Sequence, residues 1–369
     1  MKRFFGTLMS VLLVLGLLPA TLGVSVGSGV GVNINTEDFK PEIWMCDDRV
    51  VTDDNVEWGR VSAGGALMTE RTNNYAFEGE QVAYEVLVMD KNGINKVEDV
   101  YMTIGATQGE GNDIEVNCVP TVGPGLIPAS CNARILEEDL TDTVFDPLTQ
   151  EYYTCTFTVE TPDSMYGEYF VTAEATDLDG LSSIVRENEY WFLNPVVALS
   201  IDGELNFENV RPNAVSYSDT ILVGNDADDG SGVMMDMFIT GKDFYDSSSS
   251  GAMCPTTNQL ALSNFRYYVT NGAYSSAGDA TVELGPVYDV ATVRGIDAEG
   301  YLNIQYGDHF DRTTYDEAEI LQAASDGTYW EANLLTPGAE MALTFKLDLP
   351  EPCNGDFDSG QIYFWGEAV

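Results

Sequence analysis

From Pro41 onward, apolar residues recur at every second position over short stretches that turn-forming clusters interrupt, a pattern that predicts strands rather than helices. Val82, Tyr84, Val86 and Val88 share one face of Gln81–Met89. Asp90-Lys91-Asn92-Gly93 follows as a turn, and Val97–Ile104 is expected as the return strand. Tyr153, Cys155, Phe157 and Val159 line one side of Tyr152–Val159, with threonines on the other. A strand beginning at Tyr166 runs into the tight turn Asp177-Leu178-Asp179-Gly180 and returns through Ile184 and Tyr190 to Phe192. Turn signals about every ten residues indicate an antiparallel sandwich. Asn194-Pro195 is the natural boundary, because the residue before a proline is pushed into extended geometry.

The pattern then restarts. Val196–Ile201, Leu205–Val210, Thr220–Val223, Val233–Thr240, Met341–Leu349 and Gln361–Trp365 are expected strands. Helical periodicity is scarce: Tyr315–Ala324 predicts one short helix and Ala133–Leu140 a weaker one. The fold class is therefore all-β, with two tandem antiparallel β-sandwiches, Ig-like or jelly-roll-like. They occupy residues 41–195 and 196–369. Ahead of them, Val24, Val26, Val30, Val32 and Ile34 alternate with small polar residues, and no charge occurs until Glu37. Residues 24–40 thus read as an extended arm.

The first 23 residues have a different character. Met1-Lys2-Arg3 is followed by an almost wholly apolar Phe4–Leu18 and the small residues up to Gly23, the layout of a secretory signal peptide cleaved between Ala20 and Ser25. An uncleaved anchor is the competing reading, but an apolar core of about 15 residues is short for a spanning helix, which needs ~20. No later stretch is long and apolar enough to span, so no membrane span is expected after cleavage. Export makes the cysteines legible. Cys46, Cys118, Cys131, Cys155, Cys254 and Cys353 are an even set with no Cys-x-x-Cys pair, so disulfides are expected rather than zinc or redox chemistry. Pairing within each sandwich forces Cys254–Cys353. In the first, Cys118–Cys131 with Cys46–Cys155 is preferred among three connectivities.

Composition narrows the function. Sixty acidic against 16 basic residues give a formal net charge of −44, which excludes a nucleic-acid binder working through a basic face and disfavours anionic membranes. A lone histidine, His309, rules out a multi-histidine zinc site. It lies between Asp308 and Asp311, with no Gly-x-Ser-x-Gly nucleophile motif in the chain, and is read as a solvated loop residue. No Asn-x-Ser/Thr sequon occurs.

Two resemblances bear on the role. The run Val197–Asn213 contains Leu205-x-Phe207-x-x-Val210-x-Pro212, and Asp219–Asn225 and Met237–Phe244 follow it. Together they resemble the opening of the camelysin/TasA family of biofilm-fibre subunits and related archaeal pilus proteins, although Asn213 stands where glycine is usual. Gly167–Gly180 is similar, more generically, to Ig-like modules of prokaryotic surface proteins. The resemblance implies an assembling cell-surface protein of a prokaryote, an archaeon.

Candidate chemistry is sparse. Asp90-Lys-Asn92-Gly, Asp177-Leu-Asp179-Gly and Asn225-Asp226-Ala-Asp228-Asp229-Gly are turns whose oxygens could bind Ca²⁺. None follows the twelve-residue calcium loop. Hairpin capping is preferred for the first two. For Asn225, Asp226, Asp228 and Asp229, crowded like charges leave cation binding and capping evenly matched. The five tryptophans, Trp44, Trp58, Trp191, Trp330 and Trp365, are read as packing residues before a sugar platform. No catalytic residue and no cofactor beyond calcium is indicated. The expected role is a structural subunit of an extracellular filament or surface layer whose partner is itself. In that reading the arm acts as a donor strand, with folding back onto its own sandwich as the alternative. A monomeric carbohydrate- or calcium-binding adhesin comes second, and an exported hydrolase third.

Overall fold

The computed structural model describes residues 31–53, 73–109, 114–128, 131, 144–185, 189–276, 296–307, 318–321 and 332–369, without the side chains of 47–50, 52 and 53. The chain divides into two units, Met1–Asp38 and Phe39–Val369. The signal segment, the start of the arm, Trp58, Trp330, His309 and nearly all of both expected helices lie outside the described residues. Of the helix expected over Tyr315–Ala324, only 318–321 is described, and there Glu319 forms an isolated bridge with Phe238. In the first unit, 31–38 forms no strand, and Val32 and Ile34 are exposed.

The second unit is all-β. Strands β1 (Glu42–Asp53), β2 (Tyr75–Ala76), β3 (Glu80–Met89), β4 (Val97–Gly105), β5 (Ile114–Thr121), β6 (Gln150–Thr158), β7 (Gly167–Asp177), β8 (Ser182–Ile184) and β9 (Glu189–Leu193) form one hydrogen-bonded path in the order β1-β3-β6-β5-β4-β7-β9-β2, with β8 beside β7. The path doubles over at β5. Its first half pairs with β4 and its second half with β6, so two sheets face each other. Alternation supplies the filling: Ile43, Met45, Val82, Tyr84, Val86, Val88, Tyr153 and Phe157 from one sheet meet Val100, Met102, Ile104, Val171 and Trp191 from the other. Residues of opposite parity, Trp44, Cys46, Leu87, Met89 and Tyr152, point to the back of the first sheet, where Phe39, Ile127, Cys131 and Phe145 cover them.

Later strands build a second pair of sheets. One contains β10 (Leu199–Asp202), β11 (Ala214–Asn225), β15 (Phe265–Asn271), β16 (Tyr274–Ser275), β17 (Leu302–Asn303) and β20 (Glu340–Leu349). The other contains β12 (Met235–Gly241), β18 (Gln305–Tyr306), β19 (Leu334–Leu335) and β21 (Ile362–Ala368); β13 (Phe244–Tyr245) and β14 (Gln259–Leu260) make a small ribbon. Val223, Tyr267, Val269, Leu343 and Phe345 pack against Met235, Met237, Ile239 and Leu335 between them. Two pairings, β2–β9 and β12–β18, are parallel, so the pattern is not purely antiparallel. Tyr75 of β2 is fully buried in this second core and donates its hydroxyl to the Val369 carbonyl.

Three expectations need correction. Val97–Ile104 is a strand but not the return strand of Gln81–Met89. β3 pairs with β1 and β6, and β4 with β5 and β7. The turn therefore crosses between sheets, because both strands have an apolar face to bury and they bury it against each other. Leu205–Val210 forms no strand. Gly203, Asn209 and Asn213 hold φ of 114°, 54° and 59°, left-handed positions that a continuous ladder does not accept. The first-domain disulfides are Cys46–Cys131 and Cys118–Cys155, not Cys46–Cys155 and Cys118–Cys131, while Cys254–Cys353 forms as expected. Strand parity is the reason. Cys155 points inward with Tyr153 and Phe157, whereas Cys46 points to the back of the sheet with Trp44. Cys118 stands directly opposite Cys155 in the β5–β6 ladder.

Candidate functional site

A groove of about 800 Å³ lies at one side of the second sandwich. Ile221, Phe265, Leu347 and Leu349 line it from one sheet, and Ile362 and Phe364 of β21 line it from the other. Leu205, Phe207 and Val210 border it from the irregular segment, so the apolar residues of the expected strand 205–210 form groove wall instead. Among the described residues, β21 pairs only with β12, and Ala214–Ile221 of β11 pairs only with β20. Among the described residues each therefore keeps one edge without a partner strand, and Ile221, Ile362 and Phe364 of these two strands reach the groove.

An acidic clasp closes one end. Cys254–Cys353 ties the segment carrying Asp356 and Asp358 to the loop after β13. Asp246 Oδ1 accepts the Ser248 and Ser249 backbone N–H groups at 2.9 and 2.8 Å and the Ser248 hydroxyl at 2.9 Å, and Oδ2 accepts the Asp356 N–H at 2.9 Å. Asp358 accepts the Ser247 N–H and hydroxyl at 3.0 and 2.7 Å. Those donors, the Asp356 N–H above all for Asp246 and the Ser247 N–H for Asp358, hold both carboxyls below the usual carboxylate range. The mouth is thus negative at neutral pH and suits a neutral or cationic occupant.

The structure gives the predicted calcium turns different roles. Asn225 is buried, its amide donating to the Val233 and Leu335 carbonyls and its oxygen accepting the Ala227 N–H. Asp228 accepts the Tyr166 hydroxyl and the Val196 N–H, both at 2.9 Å, and so joins the two sandwiches. These residues do not converge with Asp226 and Asp229 on one point. Among the described residues no group of three or more His, Cys, Asp or Glu is disposed to hold a metal ion. Asp177 Oδ1 caps its own turn through the Asp179 and Leu181 N–H groups, and Asp179 pairs with Lys96 at 2.9 Å. Trp44 and Trp191 are buried in different cores, away from any shared platform, and Trp365 is partly exposed on β21.

Sequence reasoning missed an aromatic and charged patch on the outer face of the β11–β20–β15 sheet. Tyr217 and Tyr268 flank Tyr301 at centroid distances of 5.8 and 5.6 Å. Lys346 donates to Asp297 and Glu299 at 2.8 Å each, which pushes its own ammonium pKa up. The signal was present: Tyr268, Arg266 and Lys346 all have the parity opposite to the core residues of their strands.

Fold and groove define a class: an all-β, disulfide-bonded sandwich protein with a groove of mixed apolar and polar lining at one side of its second sandwich. No family model matches the sequence. The chain is similar to an uncharacterized protein of Methanocaldococcus jannaschii, 24% identical over 272 residues that cover 68% of this chain and 76% of that one. A solved structure of a candidate secreted protein from Eubacterium rectale covers 88% of this chain and 69% of its own at 9% identity, with a TM-score of 0.12. That overlay is too poor to carry an argument. Among the described residues no helix is long and apolar enough to cross a membrane.

Proposed function

We propose that this is an exported structural protein, a subunit of an extracellular filament or surface layer, and that residues 24–37 of one subunit lie as a donor strand in the groove of the next. The observation that carries the reading is the groove itself, a cleft of mixed apolar and polar lining that Ile221 of β11 and Ile362 and Phe364 of β21 reach, two strands that each keep an edge without a partner strand among the described residues. An added strand gains main-chain hydrogen bonds from such an edge and register from the pockets beside it. The arm is uncharged up to Glu37, so the acidic mouth does not repel it, and its valines alternate as a strand with one buried face requires. Arm and groove are different surfaces, so the contact is heterologous and propagates unless it closes into a ring. Three disulfides fit an oxidising compartment and hence export.

Removing 24–37 tests the reading. The expected product is a folded, strictly monomeric protein, and filaments in electron micrographs of that variant would refute donor-strand assembly. One observation favours the adhesin alternative: Tyr217, Tyr268 and Tyr301 form an outward-facing ring cluster beside hydrogen-bonding charges. A full-length protein that stays monomeric and is retained on a glycan array, with retention lost in Tyr217→Ala, would decide for it.

A further inference from the structure

Two Asp-Gly turns from distant parts of the chain meet at one end of the first sandwich. Asp90 follows β3 and Asp177 ends β7. They come together because Val97 of β4 stands opposite Asp177, and the Leu178 N–H donates to the Lys96 carbonyl at 2.8 Å. Asp90 is fully buried and Asp177 nearly so. Asp90 Oδ1 accepts the Asn92 N–H at 2.7 Å, but Oδ2 is enclosed with no hydrogen-bond partner. A bare carboxylate oxygen away from water is costly unless a cation or a proton meets it. The neighbours aggravate the cost. Burial first pushes the Asp90 carboxyl above its usual range, the charges of Asp177 and, less, Asp179 add to it, and the Asn92 N–H and Lys96 only partly offset them. Three carboxylates face one ammonium, which leaves two negative charges uncompensated.

We propose that this corner binds a divalent cation, calcium in an exported protein, with Asp90 Oδ2 as its buried ligand and the carboxylates of Asp177 and Asp179 completing the acidic set. Hard cations take oxygen ligands of this kind, and a doubly charged ion matches the local excess. As the side chains stand, the three carboxylates are not closed around a point, and Asp179 is engaged by Lys96. Entry of the ion exchanges that ammonium for the metal. Because β3 and β7 lie in opposite sheets, the ion clamps the sandwich at this end.

The test uses the full chain at fixed ionic strength, with thermal unfolding followed in chelator and in calcium at about 10⁻³ M, the upper range for extracellular modules. A cation bound only by the native state raises the midpoint. The expected result is an upward shift in the wild type that is lost in Asp90→Asn and in Asp177→Asn. Asp90→Asn should also melt above the wild type in chelator, because the buried charge has gone. Coincident wild-type curves, a shift that survives in Asp90→Asn, or a shift abolished only by Asp228→Ala with Asp229→Ala would each overturn the site. Should the Asn variants not fold, Lys96→Met keeps all three acids. Equilibrium dialysis against calcium should then show tighter binding than the wild type, and equal or weaker binding would count against the proposal.

Discussion

At the residue scale, Tyr75 and Asp246 show how single side chains position whole regions. Tyr75 belongs to a two-residue strand of the first sandwich, yet its ring lies in the core of the second and its hydroxyl meets the Val369 carbonyl. Tyr75→Phe keeps the ring and leaves a buried acceptor short of a donor, so a loss of about 1–2 kcal/mol is expected in urea unfolding. Tyr75→Ala opens a cavity as well and should cost about 3–5 kcal/mol. Asp246 acts through charge. Its folded pKa lies below the unfolded value of about 3.9. The stabilisation is therefore fully present above that unfolded value and drains away as pH falls through the folded one. Replacement by Asn should flatten the acid limb of a stability–pH curve while leaving the neutral region less affected. An unchanged acid limb would show that the clasp carries no linkage.

At the element scale, disulfides and strand edges divide the work. Cys118–Cys155 staples β5 to β6 where the first sandwich doubles over, and Cys46–Cys131 pins the excursion after β5 across the back of the same sheet. Peptide mapping without reductant should recover these two bridges and Cys254–Cys353. Removing either first-domain bridge should cost about 2–4 kcal/mol. The Cys46–Cys131 loss should expose Trp44 to quenchers, because that bridge holds the cover over it. On the donor-strand proposal the β21 edge serves assembly rather than stability. Leu205→Asp at the groove border should leave the monomer folded and prevent filament growth, as seen by sedimentation against the wild type.

At the scale of the whole molecule, charge dominates. A net charge of −44 makes self-repulsion a standing cost of the compact state. Raising ionic strength from 0.01 to 0.15 M shortens the screening length from about 30 to about 8 Å, so the melting midpoint should rise steeply over that range and then level off. The same repulsion opposes contact between subunits. If the arm bridges subunits as proposed, filament formation should tolerate low salt less well than folding does.

Much of this was legible from residue order. Period-two alternation fixes which residues can share a face, so the all-β class, the strands β3, β4, β6, β7 and β20, and the Asp177–Gly180 hairpin follow from pattern alone. The even cysteine count, in a chain whose first residues have the pattern of an export signal, foreshadows disulfides, and Cys254–Cys353 needed only counting. What alternation cannot carry is which strand lies beside which, since pairing depends on contacts far apart in sequence. Only the tertiary structure decided that β3 and β4 belong to opposite sheets, and that Cys46 and Cys155 point to opposite sides of one. The same non-local pairing brought Asp90 to Asp177 and turned Leu205, Phe207 and Val210 from a strand face into the wall of a groove.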